Sequence, residues 1–171
     1  PLTGLLNRDA FEEQARLVLA SHNGDVSLLF IDLDNFKLIN DAASHAAGDE
    51  MLRHVARLVK AEFGDDAWLA HSGGDEFTVL CKQTAAAATV PGRRLLAAIE
   101  NMRVAWQGSN LRTTASIGIV TSTAPQASFD ELLSQVDAAC HEAKELGGNR
   151  LLVAGLNEER LDTRNRMMQS A

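Results

Sequence analysis

The residues best suited to chemistry are carboxylates. Asp32 closes an apolar run, Val26–Leu33, and Asp75 and Glu76 follow directly on the glycine pair Gly73–Gly74. If the segments that carry them are neighbouring strands, the acids converge at one edge of a sheet. Anions that close repel one another, and a bound cation relieves the repulsion. Hard oxygen ligands select Mg²⁺ over softer metals. Magnesium takes one or two protein carboxylates and leaves room for substrate phosphates, and a pair of such ions can clamp the attacking and leaving oxygens of a phosphoryl transfer. Each acid alone has a plainer use: Asp32 and Asp34 can cap the next helix, and Asp75 can fill a turn position. The set in this order favours the cation, because a hairpin turn needs one glycine and no adjacent pair of acids.

Lys37 follows on the first turn of a short helix, where free backbone N–H groups and an ammonium together attract an anion. Alone it reads as a solvated surface lysine. Asn40 and Asp49 form a possible base-reading pair. A carboxylate accepts from both N1–H and the 2-amino group of guanine, and Asn offers a donor and an acceptor together. Adenine lacks that donor pair, so GTP is expected over ATP. Taken singly, each residue serves equally well as a helix cap.

The elements that must position these groups follow from periodicity and punctuation. Helical spacing runs from Asn7 or Arg8 to about His22, with Phe11, Ala15, Val18 and Leu19 on one face. Val26–Leu33 suits a strand buried on both faces. Asn35–Asp41 reads as a short helix and Gly48–Phe63 as a longer one. Ala67–His71 and Phe77–Cys81 are strands around the glycine turn. Lys82–Val90 is Ala-rich and polar, and its pattern decides neither way. Pro91 suits the first turn of a helix to about Arg103. Val104–Gln107 and Leu111–Ser122 read as strands joined by Gly108–Ser109–Asn110. Ser128 caps a helix to Leu146, with Asp130 and Glu131 at its positive end. Arg150–Val153 is a last strand. The result is an α+β fold: a βαββαβ core with a mixed sheet, flanking helices and an extra β-hairpin.

The chain has 171 residues, enough for one well-filled core. Its net charge is −7, and a duplex-binding domain needs a basic face, so a long nucleic acid is not expected as partner. An acidic domain still binds a single nucleotide when a divalent cation lies between carboxylates and phosphates. No apolar run is long enough to cross a bilayer, so no membrane contact by this segment is expected. Cys81 and Cys140 have no CxxC spacing and read as free buried thiols in a reducing cytosol. The chain opens on Pro1 without a leader and reads as a piece of something longer.

Ser72–Phe77 spells SGGDEF. With LTGLLNR at 2–8, FIDLDNFK at 30–37, NDAASHAAGD at 40–49 and AKELGGNR at 143–150, in this order and spacing, the chain resembles the GGDEF domain family of diguanylate cyclases over residues 1 to about 154. The resemblance implies a palm-like, ferredoxin-like fold with a mainly antiparallel sheet. It implies that two GTP condense to cyclic di-GMP with release of two pyrophosphates. Two domains would face each other as a homodimer, with two Mg²⁺ or Mn²⁺ per active site. Asp32, the Leu33 carbonyl and Asp75 match metal ligands. Glu76 matches the residue that assists deprotonation of the attacking 3′-hydroxyl. Asn40 and Asp49 match guanine readers. Asn35, Phe36, Lys37 and Lys144 match phosphate contacts.

There are departures. Gly148 stands where relatives often place a phosphate-contacting Arg, a loss on the order of 1.5–3 kcal/mol unless Arg150 or a water compensates. Gly64 and Ala67 stand at the two positions of the product-inhibition RxxD, so no tight product binding is expected there. His71 replaces an Arg that often precedes the signature, and Ser44 a Gly. Residues 1–156 are read as the domain and 157–171 as a helical linker toward a downstream domain, such as an EAL phosphodiesterase, with a sensor domain upstream. A cytoplasmic location is expected, in a parent protein that another domain could anchor to the membrane. The alternative reading is a weak or inactive GTP-binding module that regulates an adjacent EAL domain.

Overall fold

The computed structural model describes residues 2–123 and 127–155; the expected linker helix at 157–171 lies outside them. In chain order the elements are α1 (Arg8–Ser21), β1 (Val26–Leu33), α2 (Phe36–Ala42), α3 (His45–Phe63), β2 (Trp68–Gly73), β3 (Glu76–Cys81), α4 (Ala85–Asn101), β4 (Val104–Trp106), β5 (Ser109–Leu111), β6 (Ala115–Ser122), α5 (Phe129–Glu145) and β7 (Arg150–Val153). Five strands form one sheet in the order β2-β3-β1-β6-β7. The first four pair antiparallel. β7 joins parallel to β6, as a strand reached through a crossover helix does. The four antiparallel strands are the expected βαββαβ core, and β4–β5 is the extra hairpin.

β1 is central, which is why its sequence is apolar without alternation. Its residues still sort by the two-residue pleat. Leu29, Ile31 and Leu33 join a core with Met51, Val55 and Val59 of α3 and Leu95 and Ile99 of α4. Val26, Leu28 and Phe30 join the opposite core with Phe11 and Val18 of α1 and Val136 and Cys140 of α5. The pleat therefore turns Asp32 to the α1/α5 face. Among the described residues no helix is long and apolar enough to cross a membrane.

Three elements differ from the sequence reading. α3 begins at His45 rather than Gly48, because the Ser44 hydroxyl accepts the Ala47 N–H at 3.1 Å and caps it. α4 begins at Ala85, capped by Thr84 accepting the Ala87 N–H at 3.1 Å, so Pro91 lies inside the helix rather than in its first turn. The long strand expected from Leu111 is two strands. β5 pairs with β4 around the turn Gln107–Gly108, whose φ angles of 46° and 81° are both left-handed, and β6 starts afresh at Ala115.

Candidate functional site

The sheet pairing aligns the acids. Asp32 is opposite Glu76 across β1 and β3. The Leu33 N–H donates to the Asp75 carbonyl at 3.1 Å, which makes Asp32 and Glu76 a non-hydrogen-bonded pair, the closer of the two antiparallel geometries. The tip that carries Asp75 is shaped by two glycines, Gly73 at φ 153° and Gly74 at φ 42°, and by an irregularity in pairing between His71 and Gly73. His71 steadies it: its Nε2 lies 2.7 Å from the Gly74 carbonyl and its ring stacks on Phe77 with centroids 4.9 Å apart. Carboxylate oxygens of Asp32, Asp75 and Glu76 all lie within 4.8 Å of one another. These residues could hold a metal ion.

The electrostatics fit a cation. Asp32 Oδ1 is shut off from solvent, makes no well-aligned hydrogen bond among the described residues, and faces the Lys144 ammonium. Burial, then the neighbouring charge of Asp75, pushes the Asp32 carboxyl up to about 7, against the opposing pull of Lys144. Burial first and Asp75 second also raise Glu76. Lys144, on the last turn of α5, reaches across with Nζ 3.3 Å from Asp32 Oδ1 and 3.6 Å from Asp34 Oδ1. It donates to the Leu33 carbonyl at 3.4 Å. The Leu33 carbonyl and Asp32 thus converge on one positive charge. Burial works against that ammonium, yet the attraction of Asp32 and Asp34 holds its pKa above the ordinary value.

Asp34 does not cap the next helix. Its Oδ2 accepts from the Thr114 hydroxyl at 2.6 Å and the Asn149 N–H at 2.9 Å, and its Oδ1 from the Ser116 hydroxyl at 2.7 Å. It ties the end of β1 to the start of β6 and to the loop before β7. That role escaped the sequence reading, although the spacing of two from Asp32 placed it on the same face. α2 instead starts at Asn35, which is left-handed at φ 57° and makes no side-chain cap.

The remaining expected residues fall on two elements. Asn35 and Lys37 are exposed at the start of α2, and Phe36 between them is buried in the core, so Phe36 can offer a ligand its backbone only. Asn40 lies against α3 at Gly48: a Cβ there would strike the Asn40 side-chain oxygen and come within 3.0 Å of Phe36. Gly48 therefore lets Asn40 sit beside the α3 turn that carries Asp49. Gly148 is buried at φ 72°, with the place of a Cβ 2.8 Å from Asp34 Oδ2. Arg150 folds back over this turn, its Nε donating to the Gly148 carbonyl at 3.2 Å. Gly64 ends α3 at φ 68°, and Ala67 precedes β2.

One row of the sheet gathers the chemistry. Glu76 pairs with Asp32, Asp32 with Ser116, and Ser116 with Arg150. Paired residues share a face, so all of them point to the α1/α5 side. Both cysteines are free and buried, and burial pushes Cys81 up to about 11 and Cys140 up to about 12.

Comparison with known proteins agrees with this layout. The family described as "Diguanylate cyclase, GGDEF domain" matches residues 1–150. The chain is 40% identical over 151 residues to the cyclic di-GMP phosphodiesterase PdeB of Shewanella oneidensis, covering 88% of this chain and 18% of that protein. It is 38% identical over 156 residues to the probable diguanylate cyclase DgcE of Escherichia coli, covering 89% of this chain and 14% of that protein. The chain thus spans less than a fifth of the length of either relative. The GGDEF domain of DgcB from Caulobacter crescentus, solved in complex with c-di-GMP, superposes with a TM-score of 0.86 at 25% identity, covering 91% of this chain and 92% of that one.

Proposed function

The chain belongs to the diguanylate cyclase GGDEF domain family, and on that premise we propose that it condenses two GTP into cyclic di-GMP, with release of two pyrophosphates, as half of a homodimer. The observation that carries the reading is the convergence of the Asp32, Asp75 and Glu76 carboxylates within 4.8 Å of one another. Mg²⁺ or Mn²⁺, two per site, would be held by Asp32, Asp75 and the Leu33 carbonyl and would neutralise triphosphate charge.

The chain's own groups do the rest. Asn40 and Asp49 read the guanine edge. The Asn35 and Phe36 backbone, with the Lys37 ammonium, holds phosphate at the start of α2. Lys144 stands in the acidic cluster and turns to the triphosphate as it enters. Arg150 lies at the end of the acidic row and supplies the second phosphate cation that Gly148 cannot. Glu76, with its raised pKa, takes the proton of the 3′-hydroxyl as that oxygen attacks the α-phosphorus of the GTP on the facing domain. The pyrophosphate departs toward Lys37 and Lys144. Positioning and charge neutralisation supply most of the rate.

The test is a dimer-fused form of the chain given GTP with Mg²⁺ or Mn²⁺. Cyclic di-GMP is expected, and Glu76→Ala or Asp75→Ala is expected to abolish it. No product above background from the unaltered dimer sinks the reading.

A second reading is a GTP-binding module that controls an adjacent EAL domain without turnover. Gly148 at the phosphate-Arg place favours it, as does a relative named as a phosphodiesterase. Calorimetry showing GTP binding without product formation would select it. In either case the parent protein carries sensor or EAL domains outside this segment, and the domain works in the cytoplasm, where GTP is.

A further inference from the structure

Thr78 lies two residues beyond Glu76 on β3, so both side chains leave the strand on the α1/α5 face. Its hydroxyl is buried at 3% exposure and has no hydrogen-bond partner among the described residues. An unmet buried hydroxyl is unfavourable by about 1–3 kcal/mol, and native structures rarely keep one without a reason. Beside it lies a cavity of about 20 Å³, lined by Thr78, Glu76, Ser72, Phe30 and Phe129 among others. One water needs roughly 10–15 Å³ of such space and two to four polar partners.

The partners are present. Along a strand the Cα atoms of residues two apart are about 6.6 Å from each other, a spacing that one bridging molecule can span, and the Thr78 hydroxyl makes no direct bond to Glu76. The Ser72 hydroxyl donates to the Glu76 main-chain carbonyl at 3.3 Å, which leaves its lone pairs free to accept. Arg8 and Glu12, an ion pair at 3.9 Å, add charged groups to the lining, and Phe11, Phe30, Phe129 and Leu133 supply its apolar part.

We propose that this cavity holds one water molecule, through which Thr78 positions the Glu76 carboxylate. The water bonds to the Thr78 hydroxyl, donates to a Glu76 oxygen and is steadied by Ser72. It fixes one carboxylate oxygen from behind and leaves the other to face the 3′-hydroxyl. Thr78 is thus a positioning residue. Its effect on turnover rests on the cyclase reading of Glu76; its hydration does not.

The test compares Thr78→Val with Thr78→Ser in the dimer-fused chain, using GTP and Mg²⁺. Thr78→Val keeps the shape and removes the hydroxyl. It should lower kcat roughly 3- to 10-fold, the worth of one hydrogen bond, and leave KM for GTP within about two-fold. Thr78→Ser should restore kcat. A crystal structure of the unaltered protein should show water density within hydrogen-bond reach of Thr78 Oγ1 and Glu76. If the cavity is dry in the crystal, or if Thr78→Val turns over as well as the unaltered protein and melts higher, the proposal is overturned. If the unaltered dimer makes no cyclic di-GMP, the cyclase reading falls. The water is then still decided by the density and by whether Thr78→Val melts higher or lower than Thr78→Ser.

Discussion

Burial disfavours Asp32 as an anion, and that has a measurable sign. Its carboxyl rises from 3.8 to about 7 on folding. Between those values the folded chain holds a proton that the unfolded chain has lost. This group's contribution to stability therefore falls as pH rises through that window. A divalent cation binds only the ionised form and reverses the trend. We predict that Mg²⁺ raises the melting temperature more at pH 8 than at pH 5.5, and that Asp32→Asn removes this difference. The same substitution should raise the melting temperature of the metal-free protein at pH 8. Equal Mg²⁺ shifts at both pH values, read by thermal scanning, would count against Asp32 as ligand. The identities of Asp32, Asp75 and Glu76 were legible in the sequence because a strand end and a glycine turn are local signals. The task of Asp34 was not, because its partners Thr114, Ser116 and Asn149 lie far away in the chain.

Elements were legible where a cap and an apolar run coincide. β1 and β7 match their expected bounds, and α5 starts at its expected cap, Ser128. α4 starts six residues before Pro91, although proline favours the first turn of a helix. The Thr84 cap and the alanines at 85–88, strong helix formers, extend the helix upstream of it. Pro91 has no N–H to give the Ala87 carbonyl four residues back. Replacing it with Ala should stabilise the fold by about 1–2 kcal/mol, below the full penalty because the ring lines a cleft with Phe63 and Ala67. Urea titration measures this. A lower midpoint would mean that ring packing outweighs the missing bond. The break between β5 and β6 was hidden because Leu111–Ser122 carries no glycine or proline before Gly118. Pairing with β4 around a left-handed turn sets the end of β5, and alternation cannot report pairing.

At the scale of the whole molecule, the proposed function makes this chain half of a symmetric reaction. In the proposed mechanism each hydroxyl attacks a phosphorus bound by the other copy, so the rate-limiting unit is the pair. Specific activity should therefore rise with protein concentration and become independent of it when two copies are fused. Constant specific activity on dilution of the unfused chain, followed by pyrophosphate release, would show that one copy suffices. A net charge of −7 works against two copies meeting at low salt. The concentration dependence should accordingly be steeper at low ionic strength.

The row Glu76–Asp32–Ser116–Arg150 is set by strand pairing, not by the lengths of the segments between its members. Insertions or deletions in the intervening loops can accumulate without moving any of the four. A single residue gained inside β1 would turn Asp32 to the opposite face of the sheet. Tolerance to length variation should thus divide sharply at strand boundaries.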